Sequence, residues 1–179
     1  MKSIKFTLFL FVLLAVNHVS AQIYTPSDKE SVVKFTIKNF GFGVNGSFKN
    51  LKGTIIFDPA KLADASFKVT VDAATINTGN NSRDGHLKKE EYFDVAKYPM
   101  ISFTSNKIEK TAQGYLVTGV FTISDKSKMV MIPFTAVPQN GGYLFNGKVQ
   151  LNRRDFGVGG SSMVLSDNLN LMLIVKAQK

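Results

Sequence analysis

Apolar and polar residues alternate with a period of two along most of this 179-residue chain. In the first such run Val33, Phe35 and Ile37 are separated by single lysine or threonine residues. Runs of the same kind occupy residues 51–58, 67–73, 101–104, 115–124, 128–137, 143–152 and 169–175. Because successive side chains of a β-strand point to opposite faces, each run predicts a strand with one apolar face. About eight short strands separated by turn sequences predict an all-β domain, built as an antiparallel sandwich or barrel.

One segment, residues 78–99, interrupts this alternation. Within it Asp84 is placed to cap a short helix, and Leu87 and Phe93 fall roughly on one side of that helix. Tyr98-Pro99 ends the excursion before the next strand. We therefore expect one short helical excursion that closes an end of the barrel or covers an apolar flank.

The first 21 residues have the three-part layout of a secretory signal peptide. A start with two lysines precedes an uncharged apolar run over residues 6–16, and the small residues Val19 and Ala21 precede a predicted cleavage site before Gln22. The apolar run is shorter than the roughly 20 residues that a transmembrane helix needs. We expect residues 22–179 to form one exported domain, periplasmic or otherwise outside the cytoplasm, with no integral membrane segment.

Charge and composition narrow the classes of function. The net charge of +9 falls to +7 without the two lysines of the signal peptide, and only three of the 22 basic residues are arginines. Nucleic-acid readers favour arginine for bidentate base contacts, so we expect no nucleic-acid partner. The absence of cysteine excludes disulfides, thiolate metal sites and cysteine nucleophiles.

Histidine is almost as scarce, because His18 lies in the predicted signal peptide and leaves only His86. We expect no metal ion and no cofactor. Any serine triad must use His86, for example with Ser82, but no serine stands in a Gly-x-Ser-x-Gly turn. A hydrolase that acts on a lipid or an ester through His86 is therefore the enzyme alternative.

Two late strands are apolar on both faces, although a barrel strand needs only one apolar face. In residues 128–137, Met129 and Met131 oppose Val130, Ile132 and Phe134, and the last strand has the same character. The second face is covered either by another part of the chain or by a second copy in a homodimer.

Several motifs together resemble the YceI-like family over nearly the whole of residues 22–179. They are Phe35-Thr36-Ile37-Lys38-Asn39-Phe40 with Gly46-x-Phe48, Arg83-Asp84-x-His86-Leu87-Lys88, Tyr92-Phe93-Asp94-Val95, Tyr98-Pro99-x-Ile101-x-Phe103-x-Ser105, Gly119-x-Phe121-Thr122-Ile123 and Asn152-Arg153-x-Asp155-Phe156-Gly157-Val158. One turn departs from the pattern, since relatives often have His-Gly-Val-Thr where this chain has Ser124-Asp125-Lys126-Ser127.

The resemblance implies a lipocalin-like antiparallel barrel that is exported to the periplasm and encloses a polyisoprenoid chain in an apolar channel. Members of the family are often dimeric, so the resemblance also implies a homodimer for this chain. The expected function is therefore an exported carrier or scavenger of an isoprenoid-type lipid, without catalysis. A barrel filled by its own side chains, working only through a protein partner, is a third alternative.

Candidate ligand-binding residues come from two sources. Alternation places an apolar set on the inward face, namely Phe35, Ile37, Phe42, Val69, Val71, Phe103, Phe121 and Phe145. The resemblance adds Arg83, Asp84, His86, Arg153, Asp155 and Phe156, none of them catalytic. Arg83 with Asp84, and Arg153 with Asp155, are alternatively ion pairs that fix the loops.

Overall fold

The computed structural model describes residues 22–179, so the predicted signal peptide lies outside the described residues. Nine strands follow the chain: β1 Ile23–Pro26, β2 Val32–Asn39, β3 Phe42–Ile56, β4 Ser66–Asn77, β5 Met100–Thr111, β6 Gly114–Ile123, β7 Lys126–Gln139, β8 Gly142–Asn152 and β9 Leu165–Gln178. One helix, α1, spans Asn81–Leu87, and three short 3₁₀ helices span Asp28–Glu30, Leu62–Asp64 and Arg153–Phe156.

The strands form one closed antiparallel barrel. Their order is β1-β3-β2-β9-β8-β7-β6-β5-β4, and pairing of β3 with β4 closes the sheet. The short β1 pairs with β3 and β9, the two neighbours of β2, so β1 and β2 share one of eight strand positions. The prediction of an antiparallel barrel of about eight strands with one short helix is confirmed.

The two ends of the barrel differ. At one end, called here the helix end, lie the β2–β3 turn, the segment 78–99 with α1, the β6–β7 turn and the loop that contains Arg153–Phe156. At the other end, called the ring end, lie β1, the β5–β6 and β7–β8 turns and the 3₁₀ helix Leu62–Asp64.

The observed helix cap, Asn80, lies four residues before the predicted cap, Asp84. Asn80 has an extended backbone, and its side-chain oxygen accepts a hydrogen bond of 3.0 Å from the Arg83 N–H. Asp84, the predicted cap, instead lies inside the helix and is buried. Its carboxylate accepts hydrogen bonds from the backbone N–H and the hydroxyl of Thr78, which fixes the chain where it leaves β4.

The outer face of β7 remains exposed. Val130, Ile132 and Phe134 point inward and are buried, whereas Met129 and Met131 are 60% and 62% exposed. Within residues 22–179 nothing covers these two methionines, so coverage by the described chain is excluded for β7.

Candidate functional site

A cavity of about 170 Å³ lies inside the barrel between its two ends. Every strand except β1 contributes to its wall, and the contributing side chains are overwhelmingly apolar. The lining residues are Val33, Phe35, Phe48, Leu51, Ile55, Phe67, Val69, Thr70, Val71, Phe93, Ile101, Ser102, Phe103, Val117, Phe121, Ile123, Ile132, Phe134, Phe145, Gly147, Leu151, Arg153, Phe156, Val158, Leu169, Leu171, Leu173 and Val175. An interior of this kind selects ligands by shape and by the absence of polar groups.

Aromatic rings fill the ring end below this cavity. Phe57, which is fully buried, has its ring centroid 5.2 Å from those of Tyr115 and Tyr143 and 5.3 Å from that of Phe145, all edge to face. Edge-to-face pairs at these separations are favourable beyond the area that they bury. The cluster closes this end of the barrel.

Segments outside the sheet cover the helix end. The buried ring of Phe93, from the segment after α1, lines the cavity and lies 5.5 Å from the ring of Phe48. Phe156 lines it from the 3₁₀ helix after β8, with its ring 5.7 Å from that of Phe121. The expected closure of one barrel end by the helical excursion is therefore seen, with Phe93 as the contact.

Inward-facing glycines leave room inside the barrel. A Cβ atom on Gly46 would lie 2.2 Å from the ring of Phe35, its direct cross-strand partner. A Cβ atom on Gly119 would lie 2.6 Å from the ring of Phe103. Both rings therefore lie flat over a glycine on the next strand, and Gly147 faces the cavity itself.

Arg153 is the charged side chain in the cavity wall, and among the residues that the structure describes it is one of two buried charged groups. Its guanidinium donates to the backbone carbonyls of four residues and to one carboxylate: Ser166 (3.0 Å), Val158 (2.9 Å), Gly160 (2.9 Å), Leu165 (3.4 Å) and Asp167 (2.7 Å). These contacts use all five N–H donors of an arginine. Arg153 fixes the loop after β8 and has no donor left for a ligand headgroup.

The predicted ion pairs are wrong. Asp155 is exposed, because residues two apart in a short helix point in different directions, and Arg153 pairs with Asp167 across the loop instead. Arg83 donates to the hydroxyl and the carbonyl of Thr78 rather than to Asp84. Both arginines nevertheless fix loops, as that interpretation expected.

His86 lies outside the cavity wall. Its side chain is exposed and its ring centroid is 5.0 Å from that of Tyr92. In the part of the chain that the structure describes, His86 makes no hydrogen bond to a serine hydroxyl, and Ser82 is also exposed. Nothing in this geometry favours a nucleophile and base acting together.

Most of the apolar residues predicted from alternation do line the cavity. Those that do so are Phe35, Val69, Val71, Phe103, Phe121 and Phe145, and Phe156 from the late motif joins them. Ile37 lies on the inner face of β2 but beyond the cavity. The inward burial expected for Phe42 is wrong, since its side chain is 77% exposed. Phe42 pairs with Asn39 of β2, but the pairing of β3 with β4 begins only at Ser47, so the β2–β3 hairpin extends past the barrel rim.

Sequence reasoning did not place Phe48 and Phe93 in the cavity. Both belong to the quoted motifs, and Phe48 shares the inner face of β3 with Gly46. The signal for Phe48 was therefore strand parity. Phe93 comes from a segment without strand periodicity, so only the fold brings it over the barrel.

Two kinds of feature are absent from residues 22–179. No helix within residues 22–179 is long and apolar enough to cross a bilayer. Among the same residues no group of three or more histidine, aspartate or glutamate side chains is arranged to hold a metal ion.

Comparisons with known proteins agree with this geometry. A UPF0312 protein of Pseudomonas syringae pv. tomato is 35% identical over 144 residues, which cover 74% of this chain and 75% of the relative. The crystal structure of Burkholderia cenocepacia BcnA has a TM-score of 0.80 at 27% identity and covers 86% of this chain and 99% of BcnA.

A polyisoprenoid-binding domain from Saccharophagus degradans, implicated in plant cell wall breakdown, has a TM-score of 0.68 and covers 87% of this chain and 97% of that domain. At 14% identity this likeness concerns the fold alone. The family model of the YceI-like domain matches residues 24–177, which is most of the sequence. The chain therefore belongs to the YceI-like family.

Proposed function

We propose that this protein is an exported lipid-binding protein that holds a polyisoprenoid or similar long apolar lipid in its barrel, as a carrier or scavenger without catalysis. The observation that carries the proposal is the apolar cavity of about 170 Å³, which is closed at the ring end by the cluster around Phe57. Arg153, the charged group in its wall, has all its donors engaged within the protein.

The cavity volume limits how a ligand fits. It slightly exceeds the roughly 150 Å³ of a cavity that takes up one benzene molecule, so it accommodates about one five-carbon isoprene unit. At roughly 0.8 kcal/mol per buried CH₂ group, one such unit contributes about 4 kcal/mol to binding, or about a thousandfold in affinity. The remainder of a longer chain must displace lining side chains or extend out of the helix end.

The ligand class comes from the family resemblance rather than from the cavity. The Saccharophagus degradans protein of the same fold is described as polyisoprenoid-binding. A branched chain with repeated methyl groups suits a wall of phenylalanine, leucine and valine, because such a wall makes many close apolar contacts and the chain has no polar groups that require hydrogen bonds. Export rests on the layout of residues 1–21 alone.

Mass spectrometry of the lipid extracted from protein purified without detergent tests the proposal directly. We expect one isoprenoid-type molecule per barrel and a mature chain that begins at or near Gln22. Recovery of a barrel that takes up no apolar lipid from an isoprenoid mixture would contradict the binding function. Ester turnover by the purified protein that disappears in His86→Ala would instead support the hydrolase alternative.

We propose that a homodimer of this chain, where it forms, uses the outer face of β7, on which Met129 and Met131 are exposed. Two methionines on adjacent outward positions form an adaptable apolar surface of the type found at protein interfaces. Ile132, on the opposite face of the same strand, lines the cavity and takes no part in this surface.

A further inference from the structure

Four exposed apolar side chains form one patch at the helix end, called here the tip patch. Phe40 and Phe42 are 69% and 77% exposed at the turn between β2 and β3, and Met163 and Val164 are 104% and 39% exposed on the loop before β9. Singly exposed apolar side chains are common, but several that adjoin in one exposed patch mark a surface that contacts a protein, a ligand or a membrane. The patch therefore indicates an interaction surface.

Backbone contacts hold the two halves of the tip patch together. The Phe40 N–H donates a 2.9 Å hydrogen bond to the carbonyl of Val164, and Asn39 pairs with Leu165 in the sheet. Phe40 also has a φ of +49°, a left-handed conformation that is unusual for a bulky residue. The chain thus presents this ring outward in a fixed, strained turn.

The tip patch continues the apolar inner face of the barrel. Along β3, Phe48, Val44 and Phe42 occupy alternate positions on the same face, and Phe48 lines the cavity. Along β2, Phe35 lines the cavity and Ile37 follows it toward the turn. An apolar surface therefore leads from the cavity to the tip patch, at the end opposite the aromatic cluster of the ring end.

Lysines are the charged residues of the β2–β3 hairpin beside the tip patch, and the neighbouring carboxylate of Asp167 on β9 is paired with Arg153. Residues 32–57 contain four lysines and no acidic residue, and residues 157–166 contain no charged residue. One of the lysines, Lys38, is exposed two positions before Phe40. Such a surface is complementary to the anionic headgroups of a lipid bilayer, each nearby lysine adding attraction that salt screens.

We propose that the tip patch docks the barrel on an anionic lipid bilayer, with Phe40, Phe42 and Met163 entering the boundary between headgroups and acyl chains. This inference rests on the proposed lipid-binding function and adds the path by which the lipid moves between the membrane and the barrel. In the docked barrel the apolar face of the β2–β3 hairpin joins the bilayer to the cavity, so that a lipid tail can slide between them without crossing water.

Co-sedimentation with vesicles of phosphatidylcholine mixed with phosphatidylglycerol tests the docking. We expect binding at low ionic strength and a decrease of about a hundredfold in the partition coefficient for the double variant Phe40→Asn with Phe42→Ser, because each of the two rings that leaves water contributes about tenfold. Asparagine tolerates a left-handed backbone, so this variant should fold. The matched control, Met129→Gln with Met131→Gln, removes two apolar side chains that are also mostly exposed, but on the barrel wall, and should bind as the wild type does.

Two charge-reversal variants test the electrostatic contribution to vesicle binding. Lys38→Glu should weaken binding to the anionic vesicles, whereas Lys110→Glu, an exposed lysine near the β5–β6 turn at the ring end, should have less effect. Equal effects of the two substitutions would mean that net charge, and not the tip, governs association.

The outcomes that overturn the proposal are distinct from those that overturn the binding function. Unchanged vesicle binding in the Phe40/Phe42 variant would overturn the docking. The docking would also be overturned if the wild type does not bind vesicles and sediments as a dimer, whereas the tip variant sediments as a monomer. The patch would then join two copies of the chain. Farnesol uptake, followed by native mass spectrometry, should be normal in the tip variant; its absence in the wild type would contradict the binding function and leave the docking result standing.

Discussion

Replacing Gly147 by leucine should fill the cavity from one wall and leave the barrel folded. Gly147 lies in the middle of β8 with its inward side facing the cavity. A Cβ atom there would lie 3.2 Å from Cγ2 of Ile132, a contact that a shift of a few tenths of an ångström relieves. The rest of the leucine side chain then extends into empty space.

The expected magnitudes follow from the four added carbons. They occupy space that would otherwise hold about four ligand carbons, which at roughly 0.8 kcal/mol each costs the ligand about 3 kcal/mol, or about a hundredfold in affinity. Burial of the leucine favours folding by roughly 1.5–3 kcal/mol. Local overpacking costs a similar 1–3 kcal/mol, so the stability should hardly change.

The assay quantifies isoprenoid per mole of folded protein and compares thermal unfolding with that of the wild type. Gln150→Leu is the matched control, because it adds the same side chain to an exposed position on the outer face of the same strand. A folded Gly147→Leu protein that retains wild-type amounts of lipid would refute the placement of the ligand in this cavity.

Four further predictions concern the parts that support the cavity. Phe57→Ala should lower the free energy of unfolding by about 3–5 kcal/mol in chemical denaturation, because it leaves a void among the rings of the ring end. Arg153→Lys should also destabilise the barrel by about 2–4 kcal/mol, since lysine has three donors for five acceptors, and hydrogen exchange should show the loop before β9 opening first. Burial, with a smaller contribution from Asp58, raises the pKa of Tyr143, so the folded chain keeps a proton that the unfolded chain releases near pH 10. The free energy of unfolding therefore decreases as the pH rises through that range. Tyr143→Phe removes this titration and should move alkaline unfolding to higher pH. Where sedimentation detects a dimer, Met131→Glu should return it to monomer without changing the unfolding temperature.

The alternation of side chains was enough to predict most of the cavity wall. Val69, Val71, Phe103 and Phe121 share one parity along their strands, and a closed barrel buries one parity throughout. The four-residue β1 was not predicted, because it is too short to show a period and acts by filling the position that β2 leaves at the ring end.

The errors occur where the answer depends on distant parts of the chain. Phe42 has the inward parity of β3. The residues near it in the sequence do not indicate how far β3 extends past the barrel rim, and in the structure its ring is exposed. The carboxylate partner of Arg153 is 14 positions away rather than two, because the loop returns to bring Asp167 beside it. In the same way Phe93 reaches the cavity only when the segment after α1 folds over the barrel.

The empty space in this barrel is itself an argument for a ligand. At about 24 cal/mol per Å³, a cavity of 170 Å³ reduces the stability by about 4 kcal/mol, a large part of the 5–15 kcal/mol typical of a domain. Glycines inside strands weaken the barrel further, by roughly 0.5–1 kcal/mol each, and Gly46, Gly119 and Gly147 all face inward. The space beside Gly46 and Gly119 is already taken by phenylalanine rings, but a larger side chain at Gly147 would fill the interior, so selection for stability alone would favour a solid core. An apolar lipid that binds in the cavity restores the missing apolar contacts. Lipid binding therefore explains why the empty barrel is less stable than a barrel with a filled interior would be.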